Sequence, residues 1–265
     1  VTGVQTCALP ISAPFVVIYV VWLLDDRNTS LPPPNDTFLI AGLLAAVLQI
    51  VATVMLVRLF TLRNFAVGSC YIRTEVLATA VLGLAFFGEQ VSLVGWVAML
   101  ICVVGLVMIT IAKSGRLAEL WNVSAAYGLI AGVSLSLTSL FIRQASLSFG
   151  LDDALFTAAL TLGYMIFIQT VICLVLLLVQ NAAELLVIFQ KWKVSLFIGV
   201  TSLVGSIGWF TAFTLERAAY VKTLGQIEFL FTLVIAVIFF REVPNRLEWL
   251  GMVTLIAGVE IGRAH

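Results

Sequence analysis

Two glutamates carry most of the chemistry this sequence offers. Glu75 lies well inside an apolar run from Phe65 to Phe87, and Glu228 lies at the matching depth of a run from Ala218 to Phe240. Ten helical residues rise about 15 Å, roughly half of a hydrocarbon core about 30 Å thick. A carboxylate at that depth is costly and is kept, by default, for function. Water-poor surroundings favour the neutral acid over the carboxylate. Each glutamate is therefore a candidate for taking up and releasing a proton. The plain alternative is a protonated side chain hydrogen-bonded between helices.

Neighbouring positions extend the two sites. Tyr71 and Thr79 stand at i−4 and i+4 of Glu75 and share its helix face; Leu224 and Thr232 do the same for Glu228. Arg73 and Gln226 correspond on the opposite faces. Arg73 is too deep to reach water easily, which predicts a carboxylate partner or a cavity. There it can bind an anionic group of a solute or form a structural ion pair. Gln49 and Gln169 place single amides in the middle of apolar runs, where they line a cavity or hydrogen-bond between helices. Ser134, Ser136, Thr138 and Ser139 read as close packing. Trp209, Tyr164 and Tyr220 flank an aromatic solute or belong to interfacial belts. Glu89 and Glu242 precede Ser92 and Asn245, good N-cap residues, and read as solvated acids at helix mouths.

The elements that position these residues are membrane helices. Of 265 residues, 62% are hydrophobic and 11% charged, so lipid is the solvent for most of the chain. Helical spans are expected at Thr37–Leu62, Phe65–Phe87, Leu93–Ala112, Val123–Arg143, Ala154–Val179, Val194–Leu215, Ala218–Phe240 and Leu247–Ile261. Ser12–Leu24 reads as the end of a truncated helix, and Pro32-Pro33-Pro34 marks a loop. The fold class is an all-α integral membrane protein, multi-pass. The alternating segments of a β-barrel are not seen.

Net charge is zero, which argues against a nucleic-acid partner. No Cys-x-x-Cys spacing occurs, and the one histidine is the terminal His265. No metal, cofactor or enzymatic activity is expected. Cations fall on both sides of the expected spans. The larger group, Arg58, Arg63, Lys113, Arg116, Lys191, Lys193, Arg241 and Arg246, would mark the cytoplasmic side by the positive-inside rule. Arg27, Arg143, Arg217 and Lys222 fall on the other.

An internal repeat sets the architecture. Glu75 and Glu228 are 153 residues apart (228 − 75), and the same offset carries Phe60, Thr61, Thr79, Phe86, Phe87, Glu89, Trp96, Met99 and Gly105 onto identical residues. Carrying the offset backwards places the partner of Tyr127–Arg143 before residue 1. The expected whole is two inverted five-helix repeats, a ten-helix carrier, with the first helix missing and the second truncated here. Residues 12–112 form the truncated first repeat, 113–122 a linker and 123–259 the second repeat. Residues 1–11 and 260–265 resemble translated sequencing-adapter read-through and are expected to be non-native.

A Phe-Phe-Gly-Glu element (Phe86 to Glu89) closing a helix, followed by a helix containing Trp and Gly, twice over, resembles the EamA-type branch of the drug/metabolite transporter superfamily. The resemblance implies a carrier of small metabolites in a bacterial inner membrane, exporting them through a central cavity by alternating access. It also implies both termini of the full protein on the cytoplasmic side, opposite to the cation count. Many members carry proline near positions 75 and 228, so the glutamates inherit no role from the family. Proton exchange or the solute gradient is the expected energy source, since no nucleotide-binding motif is present. A non-transporting scaffold or sensor subunit is the alternative, with an intramembrane enzyme behind it. The expected partners are the lipid bilayer, a small-molecule solute and protons.

Overall fold

The computed structural model describes residues 2–62, 71–114, 123–181, 192–228, 231, 234, 238 and 245–263. Nine helices are seen among them: α1 Thr2–Asp26, α2 Asp36–Phe60, α3 Glu75–Phe87, α4 Leu93–Ser114, α5 Val123–Leu147, α6 Ala154–Asn181, α7 Trp192–Leu215, α8 Ala218–Gly225 and α9 Arg246–Arg263. The described residues contain no strand. Five helical stretches are long and apolar enough to cross a bilayer: Asp36–Phe60, Leu93–Ala112, Val123–Leu147, Ala154–Val179 and Leu196–Leu215. The expected spans Phe65–Phe87 and Ala218–Phe240 lie partly outside the described residues. So do Thr232, Glu242 and the second Phe-Phe element at 239–240. α1 begins ten residues before the expected Ser12.

Polarity runs inside out by the standards of a protein folded in water. Ser134, Ser136, Thr138, Ser139, Thr157, Thr161 and Gln169 are buried, while Phe86, Leu93, Phe197 and Val179 stand open at 70% exposure or more. Small hydroxyls inside let helices approach closely, and large apolar side chains outside suit lipid. The all-α membrane class follows.

The chain divides into two compact units. The first combines residues 1–50 with 141–215; in it α1, α6 and α7 pack on one another. Leu23 of α1 meets Phe156, Ala159 and Leu160 of α6 in one core cluster, and Phe38, Ala41 and Ala145 form another with Tyr164 beside them. Asn35 caps α2 by accepting from Phe38 N at 2.7 Å, and Asp153 caps α6 by accepting from Phe156 N at 3.0 Å. Arg27, just past α1, donates to the same Asp153 across 126 residues of sequence.

The second unit combines residues 51–140 with 216–265, and its main seam is α4 against α9. Both helices start on the caps foreseen from sequence. Ser92 Oγ accepts from Gly95 N at 3.0 Å, and Asn245 Oδ1 accepts from Glu248 N at 2.9 Å. Glycine brings the backbones together: a β-carbon on Gly105 would stand 2.7 Å from Leu255 N and 2.8 Å from Gly251 O. One on Gly258 would stand 2.8 Å from Cys102 N and 3.0 Å from Ala98 O. These are the same atoms under the offset of 153, since 105, 102 and 98 map to 258, 255 and 251. A contact that maps onto its own image marks a local two-fold. Along the seam the α4 number rises as the α9 number falls, so the paired helices are antiparallel.

Two predictions follow from this packing. Gly105→Ala should lower stability in detergent by about 1–3 kcal/mol, because backbone atoms cannot yield to the new methyl. Gly208→Ala, where nothing lies within 4 Å, should be neutral or mildly stabilising. Thermal unfolding in micelles compares them. Separately, the Arg27 guanidinium holds the Asp153 carboxyl below the usual carboxylate range, chiefly by its hydrogen bond. A depressed folded value stabilises fully above the unfolded value near 3.9 and is lost as pH falls through the folded one. Asp153→Asn should therefore flatten the loss of stability between about pH 4 and pH 2, by about 0.5–1 kcal/mol for a pair this exposed. Unfolding midpoints across that range measure it.

Candidate functional site

The helix carrying Glu75 is interrupted just before it. Tyr71–Arg73 are helical, Thr74 is a turn, and α3 starts at Glu75. Thr74 closes the turn twice over, donating from its amide to Tyr71 O at 3.1 Å and from its hydroxyl to the same oxygen at 2.6 Å. A threonine hydroxyl competing for a local carbonyl breaks helix regularity in this way. α8 likewise ends at Gly225, and Gln226, the counterpart of Arg73, sits in a turn whose amide donates to Thr223 O at 3.2 Å. A single-residue turn thus stands shortly before each glutamate. Glu75 and Thr79 lie together in α3, and Tyr71 lies in the helical stretch just before the Thr74 turn. Tyr71 is half-buried.

Glu75 is only 8% exposed. Its Oε2 accepts from Lys222 Nζ at 3.2 Å, a residue of the other repeat. Its backbone oxygen accepts from the hydroxyls of Thr79 at 2.7 Å and Ser136 at 2.9 Å. Gly132 opens room for this meeting, with the Ile72 carbonyl 3.3 Å from where its β-carbon would be. Sequence reasoning placed Lys222 among the flanking cations and missed it as a partner. The available signal was its position six residues before Glu228, inside the same expected span.

Glu228 differs from Glu75. Its side chain is 62% accessible and lies 3.6 Å from Arg73 Nη1. Arg73 faces away from the glutamate of its own repeat and pairs with that of the other, which accounts for its place on the opposite face. The two ion pairs therefore cross between repeats but use different cations. Gln226, 2% exposed, donates from Nε2 to Lys222 O at 3.2 Å; its Oε1 is enclosed and has no hydrogen bond among the described residues.

In the first unit Gln49 and Gln169 do meet. Gln169 Nε2 donates to Gln49 Oε1 at 2.8 Å and to Ala46 O at 3.3 Å. Arg143 donates to the carbonyls of Phe213 at 2.7 Å and Thr214 at 3.1 Å, closing the end of α7. It and Lys222 are thus taken up inside their units rather than left as flanking charges. Tyr164 packs on Phe38 and donates to Leu39 O at 3.2 Å, and the Tyr220 hydroxyl lies 3.1 Å from both Ser92 N and Ser92 Oγ. Both tyrosines hold helices in place. Trp209 stacks against Phe213 with ring centroids 5.5 Å apart.

The Phe-Phe-Gly-Glu element is a helix stop. Gly88 adopts φ +67°, the left-handed position that favours glycine, and Glu89 N donates to Gly83 O at 3.0 Å to close the helix end. Glu89 Oε2 is shielded from solvent beside Gly83 rather than solvated at a helix mouth. The cap of α4 is Ser92 instead.

These features describe a multi-pass helical membrane protein with paired charges in its interior. The model of the EamA-like transporter family matches residues 122–261, more than half of the chain, and the protein belongs to that family. It is thereby a membrane transporter of small molecules. No curated protein matches. Twenty-seven chains among solved structures match; one, described only as the crystal structure of a protein, covers 97% of this chain and 98% of its own at TM-score 0.59. At 12% identity that likeness concerns the fold alone.

Breaking the buried pair is measurable. Glu75→Gln or Lys222→Met alone should each cost about 3–5 kcal/mol, by stranding a buried charge. The double variant should be more stable than either. Losses that simply add would show that the two side chains do not interact; unfolding in micelles decides.

Proposed function

We propose that this protein is a secondary transporter that exports small metabolites, amino acids or related amphiphiles, by alternating access across a bacterial inner membrane. Glu75 is the coupling group. The observation that carries this reading is the Glu75–Lys222 pair at 3.2 Å, nearly closed to solvent and next to a break in its own helix. A proton delivered to Glu75 neutralises the carboxylate and releases Lys222 from it. A charge pair in a low-dielectric interior then exchanges one stable arrangement for another. The turn at Thr74 lets the segment before Glu75 move without bending a continuous helix. Glu228, accessible and held by Arg73, serves as the outer partner in the same exchange.

A second reading uses the same pair. In a non-transporting membrane subunit, Glu75 and Lys222 would satisfy each other in a static bundle. The two readings separate in proteoliposomes loaded with a panel of amino acids and amphiphiles under an imposed pH gradient. Export coupled through Glu75 predicts that Glu75→Gln lowers the pH-dependent flux about tenfold or more, with Glu228→Gln less affected. PH-dependent flux equal to wild type in Glu75→Gln would remove Glu75 from coupling. No flux of any solute in the wild type would favour the static bundle.

A further inference from the structure

The first unit encloses a cavity of about 70 Å³. Ser12 of α1, Gln49 of α2, Gln169 of α6, and Ser202, Ser206 and Phe210 of α7 line it, so each of four helices adds a polar group. At roughly 10–15 Å³ per water-sized occupant, there is room for about five. None of the lining residues is ionisable.

The hydrogen bonds show which valences remain for a ligand. Gln169 Nε2 uses both hydrogens, on Gln49 Oε1 and Ala46 O. Gln169 Oε1 is left as an acceptor and Gln49 Nε2 as a donor. On α7 the hydroxyls of Thr201, Thr211 and Thr214 each donate to the carbonyl four residues back. Ser202 and Ser206 make no hydrogen bond among the described residues, so their hydroxyls can turn into the cavity. The chamber thus offers acceptor, donor and two hydroxyls, with Phe210 and neighbouring apolar side chains as the remaining wall. A charged group entering it would lose hydration with no counter-ion to replace it, at a cost of several kcal/mol. A neutral group with one donor and one acceptor would find both partners.

We propose that this chamber is a binding subsite for an uncharged carboxamide or hydroxyl group, through which the carried solute docks its neutral polar end. The proposal deepens the transporter reading and rests on it. The ligand donates to Gln169 Oε1, accepts from Gln49 Nε2, and exchanges hydroxyl hydrogen bonds with Ser202 and Ser206.

Glycolamide and glycolate are a suitable probe pair, nearly equal in size and differing in charge. Saturation-transfer NMR on the purified chain in micelles measures binding without requiring transport. Glycolamide should bind saturably at millimolar concentration, and glycolate at least about tenfold more weakly. Gln169→Leu should weaken glycolamide about tenfold, and Ser206→Ala severalfold. Ser206→Ala removes one half-buried hydroxyl and decides the matter if Gln169→Leu does not fold. Equal binding of the two probes, no binding of glycolamide, or a folded Ser206→Ala with unchanged affinity would each overturn the subsite. Selective binding with no transport of any solute would leave the subsite standing and refute the transporter cycle.

Discussion

The second unit depends on one close approach, the backbone contact of α4 with α9 at Gly105 and Gly258. Lipid gives helices no hydrophobic reason to associate, so association rests on how near the backbones can come. Because the contact is its own image under the repeat, it fixes an antiparallel relation between equivalent helices. In the same unit the segment around Glu75 packs on the segment before Glu228. Each carboxylate then finds its cation on the other repeat, Glu75 with Lys222 and Glu228 with Arg73.

The α4–α9 contact follows a local two-fold, and the charges beside it depart from one. Arg73 stands where the second repeat has Gln226, and Glu75 is buried where Glu228 is accessible. Symmetric helices with unlike charge pairs give one carboxylate a dry environment and the other an open one. In the first unit, by contrast, the Gln49–Gln169 bond and the serines of α7 form a chamber without charge.

Much of this was legible in the sequence, and the limits have physical causes. The membrane class followed from composition, and the caps at Ser92 and Asn245 from residue type before an apolar run. The offset of 153 matched Gly105 with Gly258, but only the structure shows that these two glycines bring their helices together. Periodicity could not show that Thr74 breaks the helix, because the break depends on a hydroxyl choosing a local carbonyl. Nor could it reveal Lys222 or Arg143 as interior groups. A cation near a helix end looks the same in sequence whether it meets water, a carboxylate or a row of carbonyls. Tyr164 and Tyr220 were ambiguous for a similar reason, since packing and solute contact use the same ring. Glu89 was expected in solvent, and the left-handed turn at Gly88 folds it back against Gly83.

The pairing of Glu75 with Lys222 also bears on how the protein is made. The two residues are 147 positions apart. At about 5–20 residues per second, the ribosome delivers the lysine about 7 to 30 s after the glutamate. During that interval Glu75 has no cation, and a lone carboxylate is the least stable state for a side chain in lipid. Until Lys222 is made, the newly inserted helix carries Glu75 without the partner it has in the folded protein. The pair can close only once both stretches of the second unit have been made, so it marks that unit's completed assembly.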